Sequence, residues 1–399
     1  MLSEQQLEKY AAVLLWGLRT ARRERFRKRD AILIQYDQAA LRLAEILYGK
    51  VLAAGMNPVQ RMGLTVPMER SFFGKANARQ LVFHPPGEKE FCGNLHGRIY
   101  LHAPDSLTHL RDVDPARIGK VLVARKPLRD ILQKREQEGF YGWTLCTLPT
   151  EELAAQARIA PETYAEQIVR ACYLDREDPV GEWEAIRRNA AAIKSWLGGL
   201  KTAFFRVESA RCDLRIKPGD ARKWLGISGH NIPSFELFVS PDWRGTEGTY
   251  FANLPSFRCG NYVEGVRLTF AKGAATEISA EKGEAFTIQQ LRTDPGAGRL
   301  GEFSLTDRRF SRIDRFMADT LFDENFGGEH GNCHIAVGAS YTDTYAGNPA
   351  DMTRALKRKL GFNDSALHWD LVNTESKTVT AHLATGERVV IYENGQFCY

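Results

Sequence analysis

Apolar positions at the start of the chain change period twice. Over residues 3–27 they recur at Leu7, Ala11, Leu14, Leu15 and Leu18, which is helical spacing, with Ser3 placed to cap the helix. Ala31-Ile32-Leu33-Ile34-Gln35-Tyr36 is then a short β-rich run. A helical stretch follows from Ala39 to Ala54 with Gly55 as its stop, and Pro58-Val59-Gln60-Arg61-Met62 reads as a second strand. Strand, helix and strand in about thirty residues make a βαβ unit, so the first half is expected to be an α/β layer on a mostly parallel sheet. Arg98-Ile99-Tyr100-Leu101 and Gly142-Trp143-Thr144-Leu145-Cys146 add strands, the second running through Pro149-Thr150 into a helix.

Residues 178–203 return to helical spacing, with Trp183, Ile186, Ala190, Ile193, Trp196 and Leu197 on one stripe. Beyond residue 205 the pattern becomes short strands and turns: Cys212 to Ile216, Gly265 to Phe270, and a closing hairpin in which Glu393-Asn394-Gly395-Gln396 carries an Asn-Gly turn. The expectation is an α/β protein with an N-terminal α/β domain over residues 1–204 and a C-terminal α+β domain over residues 205–399.

A length of 399 residues with 43% apolar content allows a large core and two domains. The net charge of +5 is too small to argue for nucleic-acid binding, and the basic run Arg19 to Arg29 reads as the solvated end of the first helix. Cys92, Cys146, Cys172, Cys212, Cys259, Cys333 and Cys398 are scattered without C-x-x-C spacing, which suits reduced thiols. The N-terminus lacks the order of a signal peptide, and the apolar runs fall short of the ~18 to 20 residues that span a bilayer. A cytoplasmic protein is expected, with neither membrane nor nucleic acid as partner.

Candidate chemistry lies in the second half. In Ser365-Ala366-Leu367-His368-Trp369-Asp370 an imidazole and a carboxylate share one face of a strand, with Ala366 beside them leaving room for a ligand. Neutral imidazole and carboxylate are both good ligands for divalent metals. Glu236 lies in Asn231-Ile232-Pro233-Ser234-Phe235-Glu236, and Glu302 in Leu300-Gly301-Glu302-Phe303. Leu321-Phe322-Asp323-Glu324-Asn325 leads through a Gly-rich loop to His334-Ile335-Ala336-Val337-Gly338, with Tyr341 seven residues after the histidine. An acid in an apolar strand is costly to bury unless paired, hydrogen-bonded or metal-bound. Glu236, Glu302, His334, His368 and Asp370 would suffice for two divalent ions sharing one carboxylate, an arrangement that activates water and polarises a carbonyl or phosphoryl group.

These segments together resemble, in this order, the aminopeptidase T and aminopeptidase S family of dinuclear metallo-aminopeptidases, over most of residues 205–399 and more loosely over the α/β first half. The resemblance implies Glu236, Glu302, His334, His368 and Asp370 as metal ligands, with Glu302 bridging, and Tyr341 as catalytic tyrosine. Glu324 would be a sixth ligand or a group behind the ligands. It implies two divalent ions (zinc, cobalt, manganese or magnesium), peptide substrates with a free N-terminus and broad preference, and a cytoplasmic homodimer. Ser234-Phe235 replaces the Thr-Gly of many members, and the loop from Asn325 to His334 is longer. Another two-metal hydrolase such as a phosphoesterase, or a non-catalytic peptide-binding protein, would use the same residues.

Three rival signals carry less. Gly296-Ala297-Gly298-Arg299-Leu300-Gly301 spells G-x-G-x-x-G but runs into a strand, not from a strand into a helix. His330 and His334 have helical zinc spacing, yet the glycines between Asn325 and His334 oppose a helix, so His330 is read as a pocket or surface residue. Cys333 adjoins His334 but points away from it on an extended segment, as a buried free thiol.

Overall fold

The computed structural model describes residues 2–399. Among the described residues the chain builds an α/β fold on three larger sheets. The first is five-stranded and parallel, in the order Asn57–Met62, Ala31–Tyr36, Gly97–His102, Gly142–Thr147 and Asn231–Ile232. The βαβ unit is present, with its helix at Leu41–Ala53. The last strand of this sheet comes from far along the chain, after the long helix Pro179–Gly199.

The first helix, Glu4–Ala21, is held at its start by a capping box between Ser3 and Gln6 and buries Tyr10, Val13 and Leu14. It ends six residues earlier than its apolar spacing suggests. Arg22 leaves in extended conformation, and its guanidinium lies 2.6 Å from Asp30 in a buried ion pair. The basic run is therefore mostly a loop beyond the helix, fixed by Arg22, and not the solvated helix end expected.

The second sheet is eight-stranded and antiparallel, and Thr202–Ser209 and Lys377–Leu383 pair at its middle. Its closing hairpin turns on Asn394 and Gly395, at φ 51° and 76°, the left-handed pair that a tight Asn-Gly turn requires. The third sheet is four-stranded and antiparallel, in the order His368–Asn373, Asn332–Gly338, Leu300–Thr306 and Glu236–Val239. One face of it packs on the second sheet. Phe303 lies 5.6 Å from Phe205 and 6.0 Å from Trp224 between ring centroids, and the Tyr250 hydroxyl reaches the carbonyls of Cys333 and Leu371 at 3.0 and 2.8 Å. The opposite face turns toward the parallel sheet.

A 23-residue helix, Pro115–Gln137, joins the two halves; the sequence pattern does not announce it. It buries only Ile118, Gly119, Val121 and Gln137 and has no apolar stripe. Its ties are polar: Arg129 to the Ala366 carbonyl at 2.7 Å, Gln137 to the Thr342 hydroxyl at 2.7 Å, and Lys126 to Asp364 at 3.0 Å. Among the described residues no helix is long and apolar enough to cross a membrane.

Candidate active site

The inward face of the four-stranded sheet carries the chemistry because strand periodicity and register coincide there. Glu302 stands opposite Ala336, Ala336 opposite Asp370, and Gly338 opposite His368, while Ser304 faces His334. Directly opposed residues share a face, so Glu302, Ser304, His334, His368 and Asp370 project together. Glu236, first residue of the outermost strand, joins them from opposite Thr306. The small residue that leaves space at the centre is Ala336. Ala366 precedes the strand, which begins at His368, and serves instead as the acceptor for Arg129.

Glu302 owes its placement to a bulge. The register between its strand and the His334 strand shifts between Leu300 and Glu302, with Gly301 as the extra residue. A Cβ at Gly301 would lie 2.4 Å from the Ala339 carbonyl oxygen and 2.5 Å from that of Gly338, so the bulge admits only glycine at this separation.

Glu302 lies between the two imidazoles. His334 Nε2 is 3.4 Å from Glu302 Oε1 and 3.2 Å from Glu236 Oε2, while His368 Nε2 is 3.6 Å from Glu302 Oε2 and 3.3 Å from Asp370 Oδ1. The Ser304 hydroxyl donates to Glu236 Oε2 at 3.0 Å. His368 Nδ1 donates to the Ala339 carbonyl at 2.9 Å, which leaves Nε2 as the nitrogen that faces the acids and would bind a cation. Glu324 follows the one-turn helix Thr320–Asp323, which Asp319 caps, and its Oε1 accepts from Asn231 Nδ2 at 3.0 Å.

Four carboxylates thus converge on two imidazoles. Burial, then repulsion from Glu302 and Asp370, outweighs the attraction of His334 and raises Glu236 to about 8. Burial and the neighbouring acids push Glu324 well above the usual carboxylate range. Burial disfavours charge on His334 and His368, but hydrogen bonding and attraction from their carboxylates prevail, and both rise to about 9. Burial likewise opposes ionisation of Asp370, yet His368 beside it brings the carboxyl down to about 2. Tyr341 stands against His368 with ring centroids 4.7 Å apart, and burial, reinforced by Glu302 and Asp370, keeps its phenol protonated.

The donor atoms fall into three ligand groups, each compact enough for one cation: Glu236, Glu302 and His334; Glu302, His368 and Asp370; and Glu324, His334 and Asp370. Glu302 belongs to the first two. Its Oε2 is buried without a hydrogen-bond partner, an orphan that a cation would satisfy. Oxygen and nitrogen donors of this kind fit a divalent metal.

All seven residues singled out in the sequence come together. Glu236, Glu302, Glu324, Tyr341, His368 and Asp370 line one cavity of about 640 Å³, and His334 lies just beneath its wall. The cavity opens between this sheet and the carboxyl ends of the parallel strands, where His102 and Thr147 terminate their strands, the usual place for a ligand in such sheets. His330 lies outside the cluster, near Glu329 on the surface, and Cys333 is a buried free thiol. Sequence reasoning missed Ser304, Asn231 and Ala336. Ser304 lies two residues after Glu302, so strand period alone could have found it. Asn231 belongs to another sheet, and no local signal ties it to Glu324.

The sequence profile of the family described as thermophilic metalloprotease (M29) matches residues 3–397. The chain is similar to aminopeptidase T of Thermus aquaticus, 31% identical over 270 residues that cover 64% of this chain and 63% of that protein. It is also similar to aminopeptidase 2 of Geobacillus stearothermophilus, 28% identical over 322 residues that cover 75% and 76% of the two chains. The solved structure of wild-type AmpT from Thermus thermophilus shares the fold, with a TM-score of 0.77 at 23% identity over 99% of this chain and 100% of that one.

Proposed function

Because this chain belongs to the thermophilic metalloprotease (M29) family, we propose that it is a metal-dependent aminopeptidase that removes N-terminal residues from peptides with broad preference. The observation that carries this reading is the pair of ligand triads sharing Glu302 in one cavity. Glu236, Glu302 and His334 would hold one divalent ion and Glu302, His368 and Asp370 a second, zinc, cobalt, manganese or magnesium, with Glu324 beside them. The chemistry such ions supply is Lewis-acid polarisation of a carbonyl and activation of water near neutral pH.

The residues themselves divide the remaining work. The acids that would hold the ions mark this end of the cavity as the place of the peptide's N-terminus, bound as its neutral α-amine. Tyr341, kept protonated, donates a hydrogen bond to the oxygen that becomes negative as the carbonyl turns tetrahedral. Glu324, buried beside the ligands, is placed to hold a proton that can pass to the leaving amine. His368 cannot turn its donor toward the substrate while Nδ1–H is committed to Ala339.

The reading extends to a cytoplasmic homodimer. Free thiols at all seven cysteines suit a reducing compartment. Leu41, Tyr48 and Leu52, exposed on one side of the helix Leu41–Ala53, offer an apolar face to a second copy. The test is metal analysis of purified protein alongside a panel of N-terminal residues and a phosphate ester. Two equivalents of metal, lost together with peptidase activity in Glu302→Ala, are expected; turnover of the phosphate ester alone would replace the reading with a phosphoesterase.

A further inference from the structure

We propose that the mouth of this cavity receives the C-terminal carboxylate of the substrate, which makes short peptides with a free α-carboxylate the preferred substrate class. The inference rests on the aminopeptidase reading above. Arg23, Arg187, Lys194 and Lys223 line the same cavity as Glu236 and Glu302. Arg187 and Lys194 are two turns apart on the helix Pro179–Gly199 and so lie on one face of it.

Among the described residues none of these four cations has a carboxylate within ion-pair distance. Lys194 Nζ donates to the Gly226 carbonyl at 3.1 Å, and Arg23 to the Gln137 carbonyl and the Asn348 side chain at 2.5 and 3.0 Å. Two acids share this wall. Glu136 accepts from His230 at 2.9 Å, and Asp343 acts on Lys223 only from beyond ion-pair distance. Burial, and after it the charge of Arg187, draws the Lys194 ammonium below its ordinary value. Four cations gathered at a cavity with no carboxylate in ion-pair contact are a recognition surface for an anion, as perturbed groups in clefts generally are.

The distance from this rim to the acids is short. Gly226, whose carbonyl accepts from Lys194, packs so closely on Glu236 that a Cβ there would fall 2.0 Å from the Glu236 carbonyl oxygen. That contact is with the Glu236 backbone, from which its carboxylate turns into the cavity. An extended peptide advances ~3.3 to 3.6 Å per residue, so only a few residues fit between acids and cations. The volume of about 640 Å³ is likewise that of a small-ligand pocket. Metal-holding acids at one end and cations at the other set the places of the N-terminus and the C-terminal carboxylate of a short peptide.

The test compares metal-loaded enzyme on Leu-Gly-Gly and its C-terminal amide, with calorimetric titration of the same peptides into metal-free protein. The free acid is expected to exceed the amide in kcat/KM by ~10- to 100-fold, mainly through KM, the strength of one charge-assisted contact. It is also expected to bind more tightly. The ratio should fall toward unity in Lys194→Gln and Arg187→Gln, persist in Lys194→Arg, and fade as glycines lengthen the peptide. Equal turnover and equal binding of acid and amide by the wild-type protein overturns the inference alone. Absence of turnover on both peptides defeats the aminopeptidase reading and this inference with it.

Discussion

His368 is anchored by Ala339: its Nδ1–H donates to that carbonyl oxygen at 2.9 Å, and the same oxygen lies 2.4 Å from where a Cβ on Gly301 would stand. One carbonyl therefore orients an imidazole and limits the bulge that aims Glu302. Gly301→Ala should displace both, costing about 1–3 kcal/mol of stability and most of the bound metal. Urea unfolding and metal analysis of the variant check this; a variant with full metal content would show that the bulge does not aim Glu302.

Tyr341→Phe keeps the ring packed on His368 and removes only the hydroxyl. Turnover of leucine-p-nitroanilide should fall ~100- to 1,000-fold with unchanged metal content, as for loss of one oxyanion donor. Normal turnover would remove Tyr341 from the mechanism.

Glu324 is buried among Glu236, Asp370 and Glu302. Glu324→Gln keeps an oxygen for Asn231 and removes the cost of protonating, on folding, a carboxyl that is ionised in the unfolded chain, so metal-free protein should gain about 1–3 kcal/mol at neutral pH while turnover falls ~100-fold or more. Thermal melting after chelation, paired with kinetics, separates the two effects. A destabilised metal-free variant would contradict the crowding of acids described above.

His330→Ala should leave metal content unchanged and alter stability by no more than about 0.5 kcal/mol, as surface substitutions do. Its ring is part-exposed and lies 3.9 Å from Glu329, outside the three ligand groups. Loss of a metal equivalent would revive the helical zinc spacing as a real site.

Lys377 gives the clearest pH dependence away from the site. Burial lowers its ammonium to about 8, despite attraction from Cys333, Cys212 and Glu375, against ~10.4 in the unfolded chain. Between these values the unfolded state binds more protons, so stability contributed by this group rises with pH across that window. Lys377→Met removes the slope. Relative to the variant, the wild type should gain up to about 3 kcal/mol between pH ~7.5 and ~10.5, read from urea midpoints; a difference that stays flat would show that Lys377 is not held in low dielectric.

Much of the site was legible because strand chemistry is local. Glu302, His334, His368 and Asp370 each occupy a short apolar run where an ionisable group needs a reason, and the alternation of His368 and Asp370 foretold their common face. The βαβ unit and the closing Asn-Gly hairpin were legible for the same cause. The helix Pro115–Gln137 was not, because its partners are carbonyls, hydroxyls and carboxylates of distant segments and leave no apolar period. The end of the first helix was misjudged because the Arg22–Asp30 ion pair, a tertiary contact, overrides local spacing. Asn231 and the Gly226 contact with Glu236 depend on two sheets meeting, which periodicity cannot express.

The short strand Asn231–Ile232 is hydrogen-bonded into the parallel sheet, and four residues after it the chain delivers Glu236 to the other sheet. The cluster of candidate ligands is consequently a seam, and neither half carries it alone. Substitutions that loosen the parallel sheet, remote from every ligand, will be felt as lost catalysis before they are felt as unfolding.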